Sequence, residues 1–285
     1  MKKTIIASAI AAVVAAPAAM ADVSVSGSVQ VEYNEDTMGT FNDIVFKSSD
    51  DLGNGMSAST KIHLVKDGGV DDLNSTTSKN ADMSVTISGD FGSITAGRQE
   101  GFQEGVFDAF VGIAASHGGG LEGTYFDAGV AGFTRDEMLK YVSPSFNGLK
   151  VGVTTQDNGS DKTKDSEVMV SFSVAGLSVN AGGGSEGTND FENVNATYKM
   201  GDLELRAAHR NINNATVDKD TTFLGAKYTM GANTFAIGSV SGDSTDAMVI
   251  SASHALSKKT NVYITNTNPD GSTASTTIVG VKSAF

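Results

Sequence analysis

One serine set among glycines is the first candidate for chemistry. Residues 183–187 have the sequence Gly-Gly-Ser-Glu-Gly, which matches the G-x-S-x-G pattern of a serine nucleophile. That pattern requires a sharp turn from a strand into a helix, whereas we predict a polar loop between two strands here. Ser185 is therefore not expected to act as a nucleophile.

Other polar segments match ligand-binding motifs only in part. Residues 118–123 are rich in glycine but do not open a helix after a strand, as a phosphate-binding loop does. Residues 157–161 offer oxygen donors at alternate positions and lack the distal glutamate of a calcium loop. The four histidines show no H-x-x-x-H pairing: His63, His117, His209 and His254. The sequence predicts no enzyme, no cofactor and no metal site.

Composition excludes further classes of protein. The chain has 285 residues, no cysteine, 20 Lys and Arg residues and a formal charge of −13. Without cysteine there is no disulfide framework, iron–sulfur cluster or thiol catalysis. Because phosphate binding needs a basic surface, a nucleic-acid partner is not expected either.

The N-terminus has the features of a secretory signal peptide. Lys2 and Lys3 precede an alanine-rich apolar run, and Ala19-Met20-Ala21 supplies the small residues of a cleavage site. We predict that residues 1–21 are removed, which leaves 264 residues (285 minus 21) with a formal charge of −15 (−13 less the two lysines). Nowhere else does an apolar run approach the ~20 residues of a membrane-spanning helix.

The elements that must position any site are β-strands. From residue 22 onward, apolar residues occupy alternate positions, as in Val23, Val25, Val29, Val31 and Tyr33. Such a period of two describes a strand with one apolar and one polar face. The same alternation recurs over residues 83–88, 149–154, 168–174, 193–198 and 203–208.

Short and long connections alternate between these strands. Seven tight turns are predicted, at residues 52–55, 89–92, 145–148, 174–176, 200–202, 230–233 and 256–259. Eight longer polar loops are predicted near residues 34–42, 66–80, 99–137, 156–166, 184–191, 211–219, 240–246 and 267–276. Together they connect sixteen antiparallel strands, which predicts an all-β transmembrane barrel over residues 22–285. A β-sandwich or β-helix is the alternative, since it would alternate in the same way.

Four segments carry a resemblance to a known family. They are residues 22–33, 44–55 (close to FKGSEDLGNG), 88–99 (close to SGDFGTVTLGRQ) and 280–285. On these segments the chain resembles the general diffusion porins of Gram-negative outer membranes, which are trimers of sixteen-stranded barrels. The resemblance implies that Phe285 is the signal read by the outer-membrane assembly machinery.

The resemblance also implies a lumen narrowed by the third long loop. In this chain that loop is residues 99–137, and a loop of such length is usually functional. Acidic groups that we expect at the constriction are Glu100, Glu104, Asp108, Glu122 and Asp127, together with Asp43. Basic groups that we expect on the facing wall are Arg98, Lys47, Lys61, Arg206 and Arg210.

Two wall positions that often hold arginine in the family are Asp43 and Val142 here. We therefore expect an outer-membrane homotrimer, in contact with lipid, that passes small hydrophilic solutes and prefers cations. Alternatively, the acidic loops only remain solvated or bind divalent ions. An adhesin or surface protein anchored by the barrel, or a barrel hydrolase, is the second class of function.

Overall fold

The computed structural model describes residues 22–35, 37–67, 82–103, 106, 112–116, 121, 136–157, 164–186, 188–216, 218–243, 246–271 and 274–285. Within these ranges no helix has the length and hydrophobicity needed to cross a membrane. The predicted signal peptide lies outside the described residues, so its cleavage stays a prediction.

Sixteen strands make up the described part of the chain, and their bounds are as follows. They are β1 (Asp22–Asn34), β2 (Thr37–Gly53), β3 (Met56–Asp67), β4 (Asp82–Gly89), β5 (Gly92–Gln99), β6 (Asp136–Val142), β7 (Leu149–Asp157), β8 (Lys164–Val174), β9 (Leu177–Glu186), β10 (Asn189–Met200), β11 (Leu203–Asn213), β12 (Asp218–Met230), β13 (Asn233–Gly242), β14 (Ala247–Ala255), β15 (Thr260–Pro269) and β16 (Thr276–Ala284).

The strands form one closed antiparallel barrel in which each pairs with its neighbours in sequence. β1 closes the ring against β16, with Val31 opposite Val281. Beyond the last strand, Phe285 N donates to Gly27 O at 3.0 Å. Closure leaves no strand edge exposed, so every strand can bond on both sides even in lipid. The predicted fold class and strand number are confirmed.

All seven predicted tight turns are present at one end of the barrel. Asn147 and Gly148 adopt the positive φ angles, 52° and 89°, that such a turn requires. At the turn of residues 174–176 the first positive φ, 47°, belongs to Ala175, which the sequence did not suggest.

Two of the predicted loops at the other end were wrong in extent. The loop near 34–42 is a two-residue turn, because Asn34 pairs directly with Thr37 in the β1–β2 ladder. The loop near 184–191 shortens in the same way, with Glu186 paired to Asn189. These rim residues include only three apolar side chains, Met38, Phe41 and Phe191, and show no alternation, yet backbone pairing does not depend on which side chains are present.

The two faces of the barrel are reversed relative to a soluble protein. Val23 on the outer face is 70% exposed, and other exposed outward residues include Val194, Leu205, Leu224 and Ile250. Inward-pointing polar residues are buried instead, among them Gln30, Asn195 and Thr265. An apolar exterior around a polar interior is the arrangement of a barrel that stands in lipid.

Candidate functional site

Part of the connection between β5 and β6 lies inside the barrel. We call its described residues (100–103, 106, 112–116 and 121) the inserted segment. Phe102 packs with Met169 of β8. Further along, Ile113 and Leu121 join a buried cluster with Phe223 of β12 and Val249 of β14. An apolar stripe on the inner wall therefore holds a segment of chain rather than facing water.

The start of the inserted segment is bound by a buried carboxylate. Phe102 N donates to Glu167 Oε2 at 2.5 Å, and Gln103 N donates to Glu167 Oε1 at 3.1 Å. Thr154 Oγ1 of β7 also donates to Glu167 Oε2, at 3.3 Å. Glu167 is only 9% exposed. Hydrogen bonds to an ionised group are stronger than neutral ones, so this contact fixes the segment firmly.

A lysine holds the same stretch from β6. Lys140 Nζ donates to the carbonyl oxygen of Glu100. The same ammonium lies 5.0 Å from the centroid of the Phe102 ring, within reach of a cation–π contact. Both contacts hold the Lys140 ammonium beside the start of the inserted segment.

The start of the segment also contacts a polar cluster around Arg210, which is fully buried. Arg210 Nε donates to Asn193 Oδ1 at 2.7 Å, and Asn193 Nδ2 donates to the Gln103 amide oxygen. In the opposite orientation of the Gln103 amide, its oxygen accepts from Arg210 Nε at 2.9 Å. Arg210 lies on the inner face, but beneath the segment and not on the open wall where the sequence predicts it.

The far part of the segment reaches β14 and β1. Ala115 N donates to Ser251 Oγ at 3.2 Å, and Gln30 Nε2 donates to Ala115 O at 3.4 Å. Gln30 is itself held by Tyr263, with Nε2 2.7 Å from the phenolic oxygen, and Tyr263 donates to Glu32 Oε1 at 2.8 Å. The segment thus contacts the inner wall from β6 round to β1.

A cavity of about 860 Å³ remains on the other side of the lumen, against β1 to β6. Its lining is mostly hydroxyl groups and charges. The residues are Asp22, Val23, Ser24, Lys47, Ser48, Ser49, Ser59, Thr60, Lys61, Asp82, Ser84, Thr86, Thr95, Gln99, Glu100 and Lys140. Three carboxylates and three ammonium groups therefore share one water-accessible space.

Three of the predicted constriction residues meet at this cavity. Lys47 of β2 and Lys61 of β3 are direct cross-strand partners, and Glu100 lines the same space. Lys61 Nζ pairs with Asp82 Oδ2 at 2.6 Å. Asp43 lies on the inner face beyond this lining, where it accepts from Ser28 Oγ and stands 3.7 Å from His63 Nε2.

Two predicted wall cations do not reach the cavity. Arg98 is the cross-strand partner of Met83 in β4 and of Glu137 in β6, and Met83 is exposed on the outer face. The next residue, Gln99, points inward, so the register places Arg98 on the outer face. Arg206 points inward near a tight turn, where its Nη2 lies 2.7 Å from Glu204 Oε1. Glu204 also contacts Lys199 and Lys227, so Arg206 belongs to an ion cluster at that end of the barrel. The other predicted acids, Glu104, Asp108, Glu122 and Asp127, lie outside the described residues.

The prediction of a polar loop around the serine motif of residues 183–187 was wrong. Ser185 lies within β9, paired with Ser166 of β8 and Asp190 of β10, rather than in a loop. Across the described ranges, no group of three or more His, Asp or Glu side chains is arranged to hold a metal ion.

The residues that sequence reasoning missed are Lys140, Glu167 and Asp82. Each points inward from its strand. Lys140, for example, lies between Leu139 and Tyr141, which are both outward and exposed, so its own side chain points into the barrel. Alternation alone could have placed these charges in the lumen.

Comparison with known proteins decides the family. A family model described as Gram-negative porin matches residues 7–274. The chain belongs to this Gram-negative porin family. A search of curated proteins finds no match to this porin.

Solved porin structures share the fold. OmpF of Salmonella typhi in complex with daunomycin superposes with a TM-score of 0.77 at 14% identity, over 93% of this porin and 98% of that chain. An anion-selective porin from Comamonas acidovorans superposes with a TM-score of 0.72 at 17% identity, over 93% of this porin and 100% of that chain. The trimer form of OmpT, an outer membrane protein of Vibrio cholerae, superposes with a TM-score of 0.67 at 16% identity, over 93% of this porin and 99% of that chain. Family membership makes this chain an outer-membrane porin channel.

Proposed function

We propose that this porin lets ions and small hydrophilic solutes diffuse passively across the outer membrane, with a preference for cations. The observation that carries the proposal is the inserted segment, which fills one side of the lumen and leaves a hydroxyl-lined cavity on the other. A narrowed polar passage admits solutes by size and charge and performs no chemistry.

The lining supports a broad class of solutes. Ser24, Ser49, Ser59, Thr86 and Thr95 offer hydroxyl groups that can replace part of a solute's hydration. No aromatic side chain is among the described residues of the lining, so no stacking surface for one kind of ring is present there. This favours general diffusion over the recognition of a single substrate.

The cation preference follows from the charge at the loop end of the barrel. Six exposed aspartates lie there on β10 to β15 or next to them: Asp190, Asp218, Asp220, Asp243, Asp246 and Asp270. With a net charge of −13, an acidic mouth raises the local concentration of cations. One structural relative is an anion-selective porin, so the shared fold does not determine whether a channel prefers cations or anions.

The proposal extends to assembly. The trimer form of one structural relative supports a homotrimer for this chain. Export through a cleaved leader of residues 1–21 and insertion signalled by Phe285 complete the proposed route to the outer membrane, where the apolar outer face meets lipid.

The alternatives have less support. An adhesin would present extended outer loops, whereas two outer connections here are two-residue turns. A barrel hydrolase would need a grouped nucleophile and base, and Ser185 lies inside a strand ladder.

Uptake into liposomes tests the proposal. Vesicles containing the folded protein should swell in isotonic solutions of small uncharged sugars, with a rate that falls steeply as the sugar grows. Swelling no faster than that of empty vesicles, with the protein shown to be folded, would refute the proposal.

A further inference from the structure

Glu167 has surroundings that differ from those of the other inward carboxylates near the cavity. It points from β8 toward the inserted segment, and its two oxygens accept from two successive backbone amides of that segment, Phe102 and Gln103. Successive N–H groups that converge on one carboxylate form a specific anion-binding arrangement. Here the anion is supplied by the barrel wall and the N–H groups by the segment.

Gly101 allows this approach. A Cβ atom at Gly101 would lie 2.5 Å from Glu167 Oε2 and 2.7 Å from Oε1, closer than any real contact of this kind. Only a residue without a side chain lets the backbone come so near to the carboxylate. The segment and the wall are therefore fitted to one another at this point.

The contact of Glu167 with the segment lies next to the open cavity. Residues 100–103 directly follow β5, and Glu100 lines the open cavity. Lys140, another residue of the lining, donates to the Glu100 carbonyl beside the Phe102 ring. A shift of this stretch would move two charges of the lining together.

We propose that Glu167 is the positioning residue that fixes the start of the inserted segment and so keeps the channel in its open state. This inference rests on the proposed channel function. If the contact is lost, the barrel remains intact while the segment samples positions that obstruct the cavity. The expected phenotype is therefore unstable current in a folded channel.

The test uses single-channel recording of Glu167→Gln and Gly101→Ala, which damage the same contact from its two sides. The amide of Glu167→Gln loses the charge and turns one acceptor into a donor facing N–H groups. Each variant should spend about tenfold more time in closed or partly closed states, as expected for the loss of a charge-assisted hydrogen bond. The double variant should be little worse than either single one, since coupled residues do not add.

Glu204→Gln is the matched control. Glu204 is also an inward, largely buried carboxylate, but its partners Lys199, Arg206 and Lys227 lie near the tight turns and not in the inserted segment. This variant should conduct steadily, and the thermal unfolding of all variants should be followed to confirm that the barrels are folded.

The outcomes separate the two proposals. A wild-type protein that never conducts refutes the channel function itself. A conducting wild type with equally steady Glu167→Gln and Gly101→Ala variants refutes the role of Glu167, as does an additive double variant.

Discussion

The side chain of Ile113 lies over Gly225 on the inner face of β12. A Cβ atom at Gly225 would be 2.7 Å from Ile113 Cδ1, and one at Gly238 of β13 would be 3.0 Å from Ile113 Cγ2. These two glycines are direct cross-strand partners, and together they form a depression in the wall that receives Ile113 beside the ring of Phe223. The wall is shaped to accept the inserted segment.

Substitution of Gly225 by alanine should therefore displace the inserted segment. Overpacking of a filled site costs about 1–3 kcal/mol. We expect Gly225→Ala to give a folded barrel with a lower thermal unfolding temperature and altered single-channel conductance. Ile113→Val removes the Cδ1 atom, so the double variant should recover part of the loss. A Gly225→Ala channel that conducts like the wild type would show that the segment does not depend on this site.

Arg210 should contribute to stability rather than to selectivity. It is fully buried and bonds Asn193, so Arg210→Met leaves buried amide groups without a partner. Each unsatisfied group costs about 1–3 kcal/mol. We expect a lower unfolding temperature, measured by loss of β-sheet circular dichroism, together with an almost unchanged reversal potential in a salt gradient. A large shift in reversal potential at normal stability would instead make Arg210 a cation of the open wall.

Neutralising two acidic residues of the third loop should reduce cation preference. Glu104→Gln with Asp108→Asn removes two negative charges from the predicted constriction. The cation-to-anion permeability ratio should fall about twofold, because fewer fixed anions concentrate cations in the passage. The measurement is the reversal potential across a salt gradient. Asp90→Asn, in a tight turn at the opposite end, is the control and should leave the ratio unchanged.

The terminal phenylalanine should matter for assembly more than for conduction. The Phe285 ring covers Gly27, where a Cβ would lie 2.7 Å from Cζ, an aromatic packed over a glycine at the closing seam of the barrel. We expect Phe285→Ala to lower the yield of folded protein in the outer membrane, scored by heat-modifiable migration in gels. Phe146→Ala, an exposed aromatic in a turn, should retain normal yield. Equal yields for the two variants would argue against the signal.

Much of the fold was accessible from the sequence because one rule governs it. Alternation such as Val23, Val25 and Val29 marks both the strand and its lipid side, and glycine or asparagine marks most of the tight turns. The rule failed at the rim of the barrel. Residues 37–42 pair in β2 without an apolar pattern, since both faces of a strand meet water there.

The site was less predictable because it depends on contacts between distant strands. Lys47, Lys61 and Glu100 line one cavity, and their role at a constriction stays a prediction. No local pattern reveals that Arg210 lies beneath residues more than a hundred positions earlier, or that Glu167 binds the backbone of residues 102 and 103. Both contacts depend on the path that the inserted segment takes through the barrel.

Conductance in a planar lipid bilayer shows directly whether the barrel is an open channel that prefers cations. Purified, folded protein should add current in discrete steps of uniform size, with a reversal potential in a salt gradient that favours cations. Protein that is folded by circular dichroism and inserts into the bilayer, yet adds no current at any voltage, would show that the barrel is not a diffusion channel.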